Sequence, residues 1–168
     1  MNDIRSHYLA WLRDAHAMEE QALTMMRGMV SRLEHYPELS ARIEQHIAET
    51  EDQAGALRDL LDSRDTSTSM LKDAMGKMAA TGQALSGLFA ADEVVKGGMA
   101  SYTFEHMEII AYKVLIATAR QLGDTAALSV FERNLAEEQA MADWLLAHME
   151  ETTRAFLTRD AADLPAGR

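Results

Sequence analysis

Cysteine is absent from the 168 residues. Its absence excludes disulfides and thiolate metal sites, leaving oxygen and imidazole ligands that suit hard or borderline metals. Proline is nearly absent too, with only Pro37 and Pro165, so little interrupts an almost wholly helical chain. Positive charge is scarce: 16 Lys and Arg face 27 Asp and Glu, for a net charge of −11. No cluster of Lys and Arg offers itself to phosphates, which argues against nucleic acid as a partner. No run of about 18 apolar residues is long enough to span a bilayer. The opening MNDIRSHYLAWL has no basic segment followed by an apolar run and a small-residue cleavage site. The expectation is a soluble cytoplasmic protein without nucleic-acid or membrane partners.

What is present is a globular composition, 48% apolar and 26% charged, in a length that holds one domain with a real core. Twelve methionines read as adaptable core filler. Helical spacing places one helix over 3–34 on Leu12, Leu23, Met26, Val30 and Leu33, closed by HYPEL. A second, antiparallel helix over 38–63 carries Leu39, Ile43, Leu57, Leu60 and Leu61, and SRDTSTS stops it. A third over 91–122 holds Val94, Tyr102, Ile109, Tyr112 and Ile116; Gly123 ends it and Asp124 caps the next. The fourth runs to about residue 154 on Leu128, Phe131, Leu135, Leu145 and Met149. The intervening stretch TSMLKDAMGKMAATGQALSGLFAAD is too long for a turn and weakly amphipathic, so it reads as one or two short helices in a crossover. Two antiparallel hairpins joined by one long crossover is the connectivity of a ferritin-like four-helix bundle. The bundle is expected over 1–156, with 157–168 a loosely ordered tail.

Each long helix aims at least one acid at its own apolar stripe. In FEHMEIIAY, at about 100° per residue, Glu105 and Glu108 fall within about 40° of Tyr112. Glu19 shares the stripe of Leu12, Leu23, Met26 and Val30, whereas Glu20 lies on a polar side with Arg13, His16, Thr24 and Arg27. Glu138 lies among Phe131, Leu135, Ala142, Leu145 and Met149; Glu137 and Asp143 turn away by about 100° and 140°. The second helix carries His46, Gln53 and, at its edge, Glu49. Counted from the turns near 36 and 123, these positions share one level. Ionised carboxylates gathered in a dry core need cations or protons. No inward Lys or Arg is seen on these stripes, and a pair of divalent or trivalent metal ions would supply the charge. Singly, an inward Glu is more often an edge residue or a hydrogen-bonded core acid. His46 reads as a core or hydrogen-bond partner rather than a direct ligand, and His16, His106 and His148 as surface or interface residues.

The segments DAHAMEEQ, HIAETEDQAGAL, SMLKDAMGKM, DEVVKGGMASYTFEHMEIIAY and NLAEEQAMADWL together resemble the YciE/YciF-type ferritin-like proteins, bacterial stress-associated helical bundles, over nearly the whole chain. The resemblance implies a ferritin-like fold, frequent homodimerisation and a centre of two iron ions, or manganese, carried here on Glu19, Glu49, Gln53, Glu105, Glu108 and Glu138. The sequence departs from the general pattern in having no Glu-x-x-His motif: ETED follows from Glu49 and EQAM from Glu138. Gln53 stands where an imidazole would be expected; an amide oxygen donates more weakly and carries no charge.

The leading functional expectation is a dinuclear metal protein reacting with peroxide or oxygen, a possible ferroxidase- or peroxidase-like oxidoreductase. In it Glu49 and Glu138 bridge, Glu19 and Glu105 or Glu108 are terminal, and Tyr112 or Tyr102 stands near enough to pass an electron. The alternatives are a structural or interaction bundle with a vestigial site, and iron storage in a symmetric cage.

Overall fold

A computed structural model of the chain describes residues 4–64 and 92–167. The described residues form four long helices: α1 Ile4–Val30, α2 Pro37–Asp62, α3 Glu93–Leu122 and α4 Thr125–Ala161. The crossover, where one or two short helices are expected, lies outside the described residues. No helix among the described residues is long and apolar enough to cross a membrane.

The helix ends follow local chemistry. α1 stops at Val30, short of the expected residue 34. The next amides turn back by three residues, Arg32 to Met29 at 2.9 Å and Leu33 to Val30 at 3.1 Å, tightening the chain into its turn. Pro37 then opens α2, where its missing N–H costs nothing. Gly123 closes α3 in the left-handed region at φ 68°, a conformation open to glycine at little cost. Asp124 follows at once as the N-cap of α4, accepting from the Ala127 amide at 3.3 Å.

α1 packs against α2 and α3, and α4 against α3 and α2; the two hairpins thus close into a ring ordered α1, α2, α4, α3. The core falls into two apolar clusters. One holds Met26, Leu39, Ile43, Val94, Phe104, Met141 and Leu145; the other holds Tyr8, Leu12, Leu57, Leu61, Tyr112, Leu115 and Phe131. Between them, on α2, α3 and α4, lie residues 46–53, 105–108 and 134–138, and Glu19 stands at the matching height of α1. A polar layer therefore crosses the bundle between two oily ones.

The segment expected to be a loose tail begins as helix, since α4 continues through Ala161. Residues 162–167 then fold back: Arg159 donates to the Pro165 carbonyl at 2.7 Å, Tyr36 donates to the carbonyl of the buried Ala166, and Gly167 accepts from the Val94 amide at 3.1 Å.

Candidate metal centre

Glu19, Glu105, Glu108 and Glu138 are at most 3% exposed. They enter the polar layer from α1, from two positions of α3 one turn apart, and from α4. Tyr112 donates its hydroxyl proton to Glu19 Oε1, while Asn134 Nδ2 donates to the Tyr112 oxygen at 3.0 Å. Burial raises the Glu19 carboxyl well above its ordinary range; the Glu138 charge adds to this and the Tyr112 hydrogen bond opposes it. Burial likewise raises Glu108, followed by repulsion from Glu19, Glu138 and Glu105.

His46 sits among these acids, 1% exposed. Its Nδ1 lies 2.7 Å from Glu49 Oε2. Its Nε2 lies between two acids, 3.1 Å from Glu105 Oε2 and 3.2 Å from Glu138 Oε2. Burial works against a charged imidazole, but Glu105 and Glu138 outweigh it and lift His46 to about 11. Glu105 is itself pushed to about 8 by burial, with His46 opposing and Glu138 reinforcing the rise. His46 thus stands where the Lys and Arg pattern left no inward cation, and the two acids on Nε2 favour its protonated form. One ligand atom from each of His46, Glu105 and Glu138 lies within 4.8 Å of the others.

The two polar residues expected on α2 differ in setting. Glu49 stands at the rim, its side chain 22% exposed, with Oε1 taken by Gln45 at 2.7 Å and Oε2 shared by His46 and Arg42. Burial alone would raise its carboxyl, but these donors hold it below its ordinary value. Gln53 is fully buried; its Nε2 donates to Glu137 Oε2 at 2.8 Å, which leaves Oε1 inside without a donor.

Whether these residues suit cations can be read from the oxygens that lack hydrogen bonds. Among the described residues six buried side-chain oxygens have none: Glu19 Oε2, Thr50 Oγ1, Gln53 Oε1, Glu108 Oε1 and both oxygens of Glu138, whose Oε2 has only the ion-pair contact with His46 at 3.2 Å. They come from all four helices. Leaving such groups unpaired costs about 1–3 kcal/mol each, and an all-oxygen set beside one imidazole is the donor chemistry of iron or manganese. The residues fit.

Angular reading of the sequence did not single out Thr50 or Asn134, whose short polar side chains carry no charge signal. His16 corrects an expectation: assigned to the polar side of α1, it is 1% exposed with both ring nitrogens unbonded, and its nearest acid oxygen is on Glu20 at 3.7 Å. Arg13, placed with it, is also buried. The α1–α2 contact covers more of α1 than its apolar stripe indicates.

The family described as a domain of unknown function (DUF892) matches residues 3–158. A protein of known structure from Xanthomonas campestris pv. campestris is 39% identical, with a TM-score of 0.79 over 95% of this chain and 99% of its own. The E. coli stress protein YciF superposes with a TM-score of 0.75 at 20% identity, over 89% of this chain and 96% of its own. YcfI from Rhodopseudomonas palustris, for which a structural role has been suggested, gives 0.64 at 21% identity, over 86% and 94%.

Proposed function

The chain belongs to the DUF892 family of YciE/YciF-type helical bundles, and on that premise we propose that it is a cytoplasmic, dinuclear metal-binding protein of the stress response, working as a homodimer. The observation that carries this reading is the cluster of His46, Glu105 and Glu138, set in a layer where buried side-chain oxygens from all four helices lack hydrogen bonds. One cation position is formed by His46, Glu105 and Glu138, whose ligand atoms lie within 4.8 Å. A second would draw on Glu19 and Glu108, each of which feels the other's charge and that of Glu138, with Gln53 Oε1 as a neutral donor; Glu138 would be the acid that both positions share. Iron is the first choice of metal and manganese the second. When bound, such a pair supplies redox exchange with peroxide or oxygen.

The residues themselves do three things. The oily clusters on either side exclude water, so the carboxylates meet a cation in a medium where attraction is strong. His46 holds the site together as an internal counter-charge and must surrender the Nε2 proton before that nitrogen can take a cation. Glu49, with Gln45 and Arg42, grips Nδ1 and orients the ring from the rim.

A second reading rests on the same imidazole. A charged His46 between Glu105 and Glu138 neutralises part of the layer without metal, as a purely structural bundle would require.

Elemental analysis of protein purified without chelator, then after anaerobic addition of ferrous iron, separates the two. Metal binding calls for about two ions per chain, with peroxide or oxygen consumed by the ferrous form. Fewer than about 0.2 ions per chain after ferrous iron is supplied establishes the structural reading.

A further inference from the structure

Glu19 is held by a chain of donors that all point the same way. Arg133 Nη2 donates to Asn134 Oδ1 at 3.2 Å. That contact turns the amide so that Nδ2 faces inward, donating to the Tyr112 oxygen at 3.0 Å. A phenol has one proton to give; with Asn134 on its lone pair, the proton goes to Glu19 Oε1. The three inner side chains are buried, at 0%, 1% and 1% exposure, so no water competes for the bonds. Glu19 Oε1 is thereby occupied, and Oε2, which has no partner, is the oxygen left for a ligand. Donors aligned in series in a dry interior also polarise one another.

We propose that Asn134, acting through Tyr112, is a positioning residue that presents Glu19 Oε2 to the second cation position, formed with Glu108 and Glu138, and sets its affinity separately from the position at His46, Glu105 and Glu138. This rests on the dinuclear reading above. Neither Arg133, Asn134 nor Tyr112 touches a cation; they fix which oxygen of Glu19 is available and hold it still. Arg133 bonds Asn134 from outside and Tyr112 is the partner on its inward side, so its influence on binding passes through the phenol.

The test is cobalt(II) titration of the metal-free full-length protein, followed by calorimetry and visible absorption. The unmodified chain shows two binding events. Asn134→Ala weakens the second by about tenfold, the usual scale for removing a hydrogen bond behind a ligand, and leaves the first unchanged. Tyr112→Phe weakens the second at least as much. In the double variant the Asn134 substitution adds nothing, because its route to Glu19 is already cut. Arg133→Met, a change at an exposed position, gives a smaller loss confined to the second event and serves if Asn134→Ala does not fold. A general loss of packing would weaken both events together. That result overturns the proposal, as does a loss from Asn134→Ala that persists undiminished in the Tyr112→Phe background. A single cobalt equivalent in the unmodified chain overturns the second position while leaving the first; no cobalt binding overturns both this proposal and the dinuclear reading.

Discussion

Glu138 has no exposed surface, and its Oε2 lies 3.2 Å from His46 Nε2. Three neighbours, Glu19, Glu105 and Glu108, feel its charge. Removing that charge while keeping the shape relieves repulsion in the metal-free fold, so Glu138→Gln is expected to leave thermal stability unchanged or raised. The same change removes the stabilisation that manganese or cobalt gives, which is about 2.7 kcal/mol at a hundred times the Kd. His46→Gln acts in the opposite direction. Without its imidazole, Glu105 and Glu138 lose the buried partner they share, and denaturant titration should show a loss of about 3 kcal/mol. A Glu138→Gln protein that is clearly less stable with and without metal would mark that acid as an ordinary hydrogen-bond acceptor. The inward facing of Glu19, Glu105, Glu108 and Glu138 is legible in the sequence because the 3.6-residue period ties a side chain's direction to its apolar neighbours. The charge on His46 is not. It is created by carboxylates 59 and 92 positions away in the chain, at Glu105 and Glu138, and an imidazole's protonation cannot be counted from composition.

At the level of elements, the joint between α3 and α4 concentrates several functions in two residues. Gly123 turns the chain, and Asp124 caps α4, accepts the Tyr8 hydroxyl proton at 2.9 Å and pairs with Arg64. One carboxylate therefore ties the first turns of α1, the end of α2 and the start of α4. The stop and the cap are legible because Gly followed by Asp is a strong local signal. The partners from α1 and α2 are not, since nothing local records them. Burial alone would raise the Asp124 carboxyl, but Arg64, Tyr8 and the Ala127 amide hold it below its ordinary 3.8. A depressed acid contributes stability that is complete above the unfolded-state value and is lost as pH falls through the folded-state one. Asp124→Ala is accordingly expected to cost about 2 kcal/mol at neutral pH. The gap from the unmodified protein should shrink as pH drops below 3.8. Denaturation curves at pH 7 and at progressively lower pH check this; a gap that stays constant on acidification would assign the loss to packing rather than to the charged cap.

For the whole molecule, the two ends of the bundle are fastened differently. Asp124 gathers one end with a side chain. At the other, the returning chain uses backbone: the Ala166 carbonyl receives Tyr36, the Gly167 carbonyl receives the Val94 amide in the first turn of α3, and Arg159 braces the turn at Pro165. The two-hairpin plan is visible from Pro37, Gly123 and the helical period, but this fastening is not. Its acceptors are carbonyls, present at every residue, and a polar segment after the last apolar stripe reads as unpinned. Deleting residues 162–168 is expected to lower stability by about 2 kcal/mol, or about 4–8 °C in Tm for a chain of this size. Hydrogen exchange should quicken at the start of α3 and around Tyr36, while amides near Gly123 keep their protection. Tyr36→Phe, which keeps the packing and loses one bond, should give about half the effect. Cobalt affinity should not change in either variant, because an apolar cluster separates this end from the polar layer. If truncation weakened cobalt binding as much as it weakened the fold, the metal layer and the bundle end would be one cooperative unit, and the two oily clusters would not insulate the site.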